Sequence, residues 1–423
     1  SPPKQNLARA AQMARSLICC SLIALALFSN AVNAFLNPKG LRSLQSTSCK
    51  RLSWQLEALR SKTSRAYTAK KKTATNSKKG GIASKISSKG FGGKDEGKII
   101  KSQEYDALLE WLHAGGVDTS RVALADFGGL RGLMATRDIA KGEPVFQLPA
   151  EMAVDLGDAK ASKEPFPYAL EFLRAFHAPD NPRRAYFDLL PQADEAWTTT
   201  DHWTDAQLEM LEWEPVIAET KRRQQAMRDL VKEILASPEK RAEHPFLKDE
   251  EQGYAQLRWA VALVLSRCLT VFGPDAGAQT TQRKLLIPFL DMFNHEAGCE
   301  QVLSGRAAAG GRLSVVAGAP VKKGQQVNIE YFGGAAANDR FLQDHGFLDL
   351  GPSTKRFDRE TFSAQIIPIP NFQSFVDKLK EKTSWQEDQK YLKANPDLGR
   401  IETLAIEYRI ILKKYLEASP NWK

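Results

Sequence analysis

Apolar residues recur at helical spacing from Tyr105 to His113 (YDALLEWLH), and Gly115-Gly116 marks the predicted end of that helix. From Val122 to Leu148 the pattern shortens into apolar runs cut by Gly-Gly, Arg-Gly and Lys-Gly, which predicts small hairpins. Between about Pro149 and Gln282 the period becomes helical again. Thr204 and Gln207 have capping-box spacing before LEML, and LVKEIL and YAQLRWAVALVLSRC follow. Leu285–Leu290 is a continuous apolar run, and Leu313–Ala317 and Val327–Tyr331 flank a Lys-Lys-Gly turn. Ile139–Val145 (IAKGEPV) and Val321–Val327 (VKKGQQV) share a pattern and predict two similar hairpins. Past Asn395, IETLAIEYRIILKKYLE reads as an amphipathic helix. The order predicts an α+β fold: small β-sheets interrupted by a helical insertion, then a short C-terminal helical segment.

Composition changes this picture only at the N-terminus. The chain has 423 residues, 43% hydrophobic and 26% charged, with a formal net charge of +9. Residues 1–98 carry +16 of that, with Glu57, Asp95 and Glu96 as their only acids, so the remainder is mildly acidic at −7. A negative body repels a polyphosphate backbone, and no nucleic-acid partner is expected. Leu17–Phe28 is a 12-residue apolar run after Arg15, ending near Val32-Asn33-Ala34. It has the length and flanks of a signal-peptide core rather than of a membrane span, with Met13 as the expected start. The Lys/Arg/Ser/Thr-rich tract behind it, including KKKTATNSKKGGIASKISSKG, cannot bury enough apolar surface to fold. Together they resemble the bipartite plastid-targeting leaders of algae with secondary plastids. A plastid stroma is the expected destination, and the secretory pathway is the alternative. Three segments follow: a disordered targeting leader over 1–98, a folded domain over 99–350 with its insertion at about 150–284, and a C-terminal segment over 351–423. Once the leader is removed, no stable membrane association is expected.

Five cysteines (Cys19, Cys20, Cys49, Cys268, Cys299) make neither a disulfide framework nor a four-cysteine zinc site, and no metal is expected. Three strings stand out as candidate chemistry. Asp291 follows LLIPFL directly, so a carboxylate enters a run that reads as buried strand and calls for a cation or donor. On these residues alone, a strand end at which Asp291, Asn294 and His295 merely cap a turn is the plainer reading. Arg267 lies in the row Trp259, Leu263, Arg267, Val271 on a helix expected over Tyr254–Val271, and Asp291 is its obvious partner. Tyr331 ends an apolar strand and enters Phe332-Gly333-Gly334, where a packed core aromatic is the plain alternative.

Five ordered blocks join these strings: GGLRGLMATRDIAKGEPVFQLP, YFDLLP, WAVALVLSR, IPFLDMFNH and KKGQQVNIEYFGG with its following Asn-Asp and LQDHGFL. Together they resemble the SET-domain protein methyltransferases, in particular the plant-type branch that contains the Rubisco large-subunit lysine methyltransferase. The resemblance implies two segments crossing as a pseudoknot, with S-adenosylmethionine on one face and a target amine entering from the other. It implies cofactor contacts at Gly129, Leu130, Arg131, Gly132, Asn294 and His295. It further implies that Arg267 helps hold the cofactor or the target side, with target-side roles for Asp291 and His345, and Tyr331 as the catalytic tyrosine. The implied activity is methyl transfer to a deprotonated lysine of a protein, with Rubisco large subunit or plastid aldolase as family-suggested substrates. Histidine methylation, or an inactive peptide-binding module of the same fold, are the alternatives. The protein is expected to work as a monomer on a protein partner. The chain departs from the family at His345, where Tyr usually precedes Gly-Phe, and at Leu130, where glycine is usual. A further residue lies between Tyr331 and Asn338. Only about 70 residues follow Leu350 for the C-terminal substrate-binding segment.

Overall fold

The computed structural model describes residues 97–276, 279–334, 336–350 and 372–418. The chain divides into two units, Ser1–Lys85 and Ile86–Lys423, and every described residue lies in the second. The predicted signal core and basic tract therefore lie outside the described residues. Among the described residues no helix is long and apolar enough to cross a membrane.

Among the described residues, eleven short strands make three sheets. The first comprises β1 (Lys98–Ile99), β2 (Val122–Asp126), β3 (Arg131–Ala135), β11 (Gln326–Ile329) and β8 (Asn294–His295), in that order. Strands β2 and β3 form the antiparallel hairpin predicted from the Gly-Gly turn, pairing Leu124 with Leu133. The second sheet orders β4 (Pro144–Pro149), β10 (Arg312–Val316) and β9 (Val302–Gly305). The two Lys-Gly turns meet through paired backbone hydrogen bonds between Ile139 and Val321. The third sheet orders β5 (Val154–Asp158), β7 (Gln279–Leu286) and β6 (Cys268–Ala276).

Strands β8 and β11 pair in parallel, Asn328 with Asn294 and Ile329 with His295. A parallel pair needs a crossover, and here the intervening chain leaves to build β9 and β10 before returning. The segments expected to cross are thus brought side by side.

Helix α1 (Gln103–Ala114) starts at Ser102, whose side chain accepts from the Tyr105 amide, and stops at Gly115. The insertion supplies α2 (Phe166–His177), α3 (Glu214–Ala236) and α4 (Glu250–Arg267). The predicted capping box forms: Thr204 and Gln207 each bond the other's backbone. Three expectations change. The 149–282 stretch is not wholly helical, because it contains β5 and most of the β6–β7 hairpin. The helix expected to reach Val271 ends at Arg267, because Cys268 turns extended. Likewise the apolar run before Asp291 is strand only to Leu286, and Asp291 sits in a single tight turn, Leu290–Met292.

The main core packs Leu108 of α1, Leu124 and Leu133 of the first sheet, Phe146, Phe172, and Leu257 and Val261 of α4. A second core joins the insertion (Trp203, Leu211, Trp213) to Leu342 and Leu348. It also draws in C-terminal helices α5 (Phe372–Lys380) and α7 (Arg400–Ala418). Helix α6 (Trp385–Ala394) packs beside α7.

Candidate active site

Three chain segments that are far apart in sequence place their side chains at one point. The first is the C-terminal end of α4. Arg267 Nη1 donates to the Asp291 carbonyl and to Asp291 Oδ2, both at 3.2 Å. The pairing expected from the apolar flanks is therefore present, and Tyr186 completes it by donating its hydroxyl to Asp291 Oδ2 at 3.0 Å. Asp291 is 1% exposed in its side chain, and burial raises its carboxyl pKa even with Arg267 opposing. Its Oδ1 meets no hydrogen-bond partner.

The second segment is β8. Asn294 Nδ2 donates to the Arg131 carbonyl at 2.9 Å, tying β8 to the first hairpin. A Cβ on Gly132 would lie 2.6 Å from Asn294 Nδ2 and collide with Gln326 Nε2, so a larger residue there would have to push these two side-chain ends aside. Gly129, with φ +95°, sits in the turn and donates its amide to Asp126 Oδ1 at 2.8 Å. Leu130 follows it and accepts from the Phe127 amide. The Arg131 guanidinium donates to the Leu189 carbonyl at 3.1 Å, and burial lowers its pKa.

The third segment runs from Tyr331 to Asp349. The Tyr331 amide donates to His295 Nδ1 at 3.0 Å, and the Tyr331 hydroxyl donates to the Phe293 carbonyl at 2.8 Å. His295 Nε2 in turn lies 3.0 Å from Asp349 Oδ2. The imidazole of His295 thus clamps the returning chain and lies buried behind Tyr331. Burial pushes the Tyr331 phenol well above its ordinary value. Asn338 exchanges two hydrogen bonds with the Asp349 backbone, closing the loop.

Two cavities meet on these residues. One, of about 480 Å³, is lined by Leu269, Thr270, Leu303, Phe332 and Arg340 among others. The other, of about 290 Å³, is lined by Arg131, Glu195, Thr198, Asn294 and Phe347 among others. Ser266, Arg267, Asp291, Tyr331 and His345 line both, so they form the partition between them. Phe289 (φ 69°), two residues before Asp291, and Phe332 (φ 55°), next to Tyr331, hold strained left-handed backbone.

The structure therefore gathers Arg131, Arg267, Asp291, Asn294, Tyr331 and His345 at the cavities. Gly129 and Leu130 lie in the adjoining turn, Gly132 behind Asn294, and His295 beneath Tyr331. Sequence reasoning assigned no role to Tyr186 or Asp349. YFDLLP was visible as a block, but nothing local ties its tyrosine to a carboxylate 105 residues away. Among the described residues no cluster of His, Cys, Asp and Glu has the makings of a metal site.

A SET-domain family model matches residues 130–332. The chain is 25% identical over 305 residues to the chloroplastic Rubisco large subunit N-methyltransferase of Nicotiana tabacum, spanning 66% of this chain and 57% of that protein. It is 24% identical over 248 residues to the chloroplastic fructose-bisphosphate aldolase-lysine N-methyltransferase of Arabidopsis thaliana, spanning 53% and 48%. The match thus spans about half the length of these relatives. Among solved structures, the SET domain of LSMT bound to MeLysine and AdoHcy superposes with a TM-score of 0.53 at 16% identity, covering 75% of this chain and 91% of that one. Rubisco LSMT bound to AdoMet gives 0.50 at 14% identity, covering 74% and 91%. That match covers just under half of the chain; together with the shared architecture it shows a SET-domain fold, with similarity to the plant Rubisco and aldolase methyltransferases.

Proposed function

We propose that this protein is an S-adenosylmethionine-dependent protein-lysine N-methyltransferase. The observation that carries this reading is the pair of cavities meeting across Tyr331, Arg267, Asp291 and His345. Transfer between two substrates that enter from opposite sides needs such a partition, because it sets their reacting atoms end to end.

The smaller cavity suits the cofactor. Gly132 lets the first hairpin close on Asn294, and Arg131, Asn294 and Thr198 offer polar contacts beside the Phe347 ring. The backbone at Gly129 and Leu130 and the amide of Asn294 would hold it, with His295 fixing the strand beneath. When bound, S-adenosylmethionine supplies an electrophilic methyl group. The larger cavity then receives the target lysine.

Lysine has a reference pKa of about 10.4, so at a pH of about 8 baring its lone pair costs roughly 3 kcal/mol. A desolvated channel lowers that pKa. Tyr331 keeps its proton, because burial raises its pKa and its hydroxyl is committed to the Phe293 carbonyl. Its oxygen lone pairs remain to orient the amine and the methyl group, so it aligns rather than deprotonates. The unpartnered Asp291 Oδ1 receives the arriving ammonium, with Arg267 and Tyr186 fixing the other oxygen.

The relatives' named substrates make Rubisco large subunit and plastid aldolase the first proteins to try, and their chloroplast origin agrees with a plastid address. Purified protein incubated with methyl-labelled cofactor and chloroplast extract should label a lysine, mapped by mass spectrometry. Tyr331→Phe should lose transfer by about 100-fold or more while calorimetry shows cofactor affinity retained. Loss of both would make Tyr331 structural. Absence of any cofactor affinity in the wild-type protein would end the enzymatic reading.

A further inference from the structure

Away from the partition, the C-terminal helices α5, α6 and α7 enclose a cavity of about 390 Å³, a volume within the range of small-ligand sites. Its floor is apolar: Val376 and Leu379 of α5 and Leu416 of α7, all buried. One wall is the indole of Trp385, at the start of α6. That ring is fixed twice over. Its Nε1 donates to Glu417 Oε2 at 2.7 Å, and the Lys414 ammonium lies 4.4 Å from its centre. Most of the polar lining is already engaged. Lys413 is buried and binds Glu212 at 2.6 Å, Asp388 at 2.7 Å and Thr383 Oγ1 at 3.2 Å. Glu387 accepts from the Ser384 amide at 2.7 Å and from its hydroxyl at 2.8 Å, and Glu417 holds the indole. The charges left over are two ammonium groups on exposed side chains. Lys380 reaches Asp377 only at 3.5 Å, and Lys382 forms no ion pair among the described residues.

We propose that this cavity binds a small amphipathic monocarboxylate. Its apolar body lies on Val376, Leu379, Leu416 and Trp385, and its carboxylate meets Lys380 and Lys382. An apolar floor favours an apolar guest, and two uncommitted cations at one place favour a negative one. The walls are mostly helix, whose backbone groups bond one another, so an extended peptide finds no row of free main-chain donors and acceptors here. A single apolar body with one acid needs none. Binding involves no covalent step and does not depend on the lysine reading above. The floor belongs to the core that also takes Leu342, so an occupant adds apolar contact to that core.

The test is calorimetry on the full chain at low salt and a pH near 8. Sodium octanoate is the probe, with octanol and octylamine as its neutral and cationic counterparts. The wild-type protein should bind octanoate saturably with a Kd on the order of 0.1 mM, and octylamine about tenfold or more weakly than that. Lys380→Glu combined with Lys382→Glu changes only exposed side chains and should weaken octanoate about tenfold. Trp385→Ala removes the wall and should weaken octanoate and octanol alike. Octanoate held by the basic residues before position 98 is common to all three proteins, so the difference between them carries the result. Absence of saturable octanoate binding by the wild-type protein overturns the proposal, even if no variant folds, and leaves the cavity to the chain's own residues or to a protein partner. So does an unchanged affinity in either folded variant, or octylamine binding as tightly as octanoate.

Discussion

Asp339 has a fully buried carboxyl group whose oxygens meet no well-placed donor. Burial is the main cause that raises its pKa to about 6; Arg340 pulls it down and Asp344 pushes it up. In an unfolded chain the same group titrates near 3.9. Between those values the unfolded state has released its proton while the folded state retains it. Stability therefore falls as pH rises from about 4 to about 6, and stays at the lower level above that. Asp339→Asn removes the ionisation without changing the shape. Its melting temperature should exceed the wild type's by on the order of 5 °C at a pH near 8. The gap should close near pH 4, where both side chains are neutral. A constant gap across that range would mean the carboxylate is not the source. The contrast with Asp291 is instructive. That carboxyl group is equally buried but has Arg267 and Tyr186 to answer it, so it is held as part of the site rather than tolerated.

The helical insertion reaches the site as an element through one side chain. Arg223 of α3 is 3% exposed and bonds Asp201, Asp344 and the Gln343 carbonyl, pinning the π-turn Phe341–His345. Arg223→Met keeps the bulk but leaves two carboxylates buried together. It should cost about 3–5 kcal/mol in urea unfolding. A loss below about 1 kcal/mol would show that water reaches the cluster. None of this network has a local signature, because its members are joined only by tertiary packing. What was legible had local grammar: the Thr204–Gln207 capping box, the Gly-Gly hairpin, and a carboxylate and a guanidinium each stranded in apolar surroundings. The β6–β7 hairpin was missed because CLTV continues the apolar row of α4 without a break, and QTTQRKLL lacks a clean alternation. The end of α4 at Arg267 is set by the extended Cys268, which no capping residue announces. The strained backbone at Phe289 and Phe332 was likewise invisible, since aromatic residues disfavour that conformation and only the surrounding structure enforces it. Tyr331 itself was legible through resemblance alone. Its pairing with His295, and the hold of Asp349 on that imidazole, come from the parallel return of the chain.

At the scale of the molecule, the C-terminal helices are not a separate appendage. Val376 and Leu379 of α5, and Leu404, Ala405, Tyr408, Leu412 and Leu416 of α7, share one core with Trp203, Leu211 and Trp213 of the insertion. That core also takes Leu342, from the very turn that ends in His345. A buried ionic cluster reinforces the seam: Lys413 binds Glu212 at 2.6 Å and Asp388 at 2.7 Å, and Arg409 bonds the same two carboxylates. Each large apolar side chain buried there contributes about 1.5–3 kcal/mol. Removing α5 and α7 thus withdraws an amount comparable to the roughly 5–15 kcal/mol by which a whole domain is stable. A chain truncated after residue 371 should lose its cooperative melt and, with Leu342 exposed and the π-turn released, bind the proposed lysine target far more weakly. Circular dichroism on heating and calorimetric titration with L-lysine both read this. A truncated chain that melts and binds as the full one does would show that these helices lend the site no support. If instead melting and binding fail together, these helices support the site through Leu342 and the π-turn that carries His345.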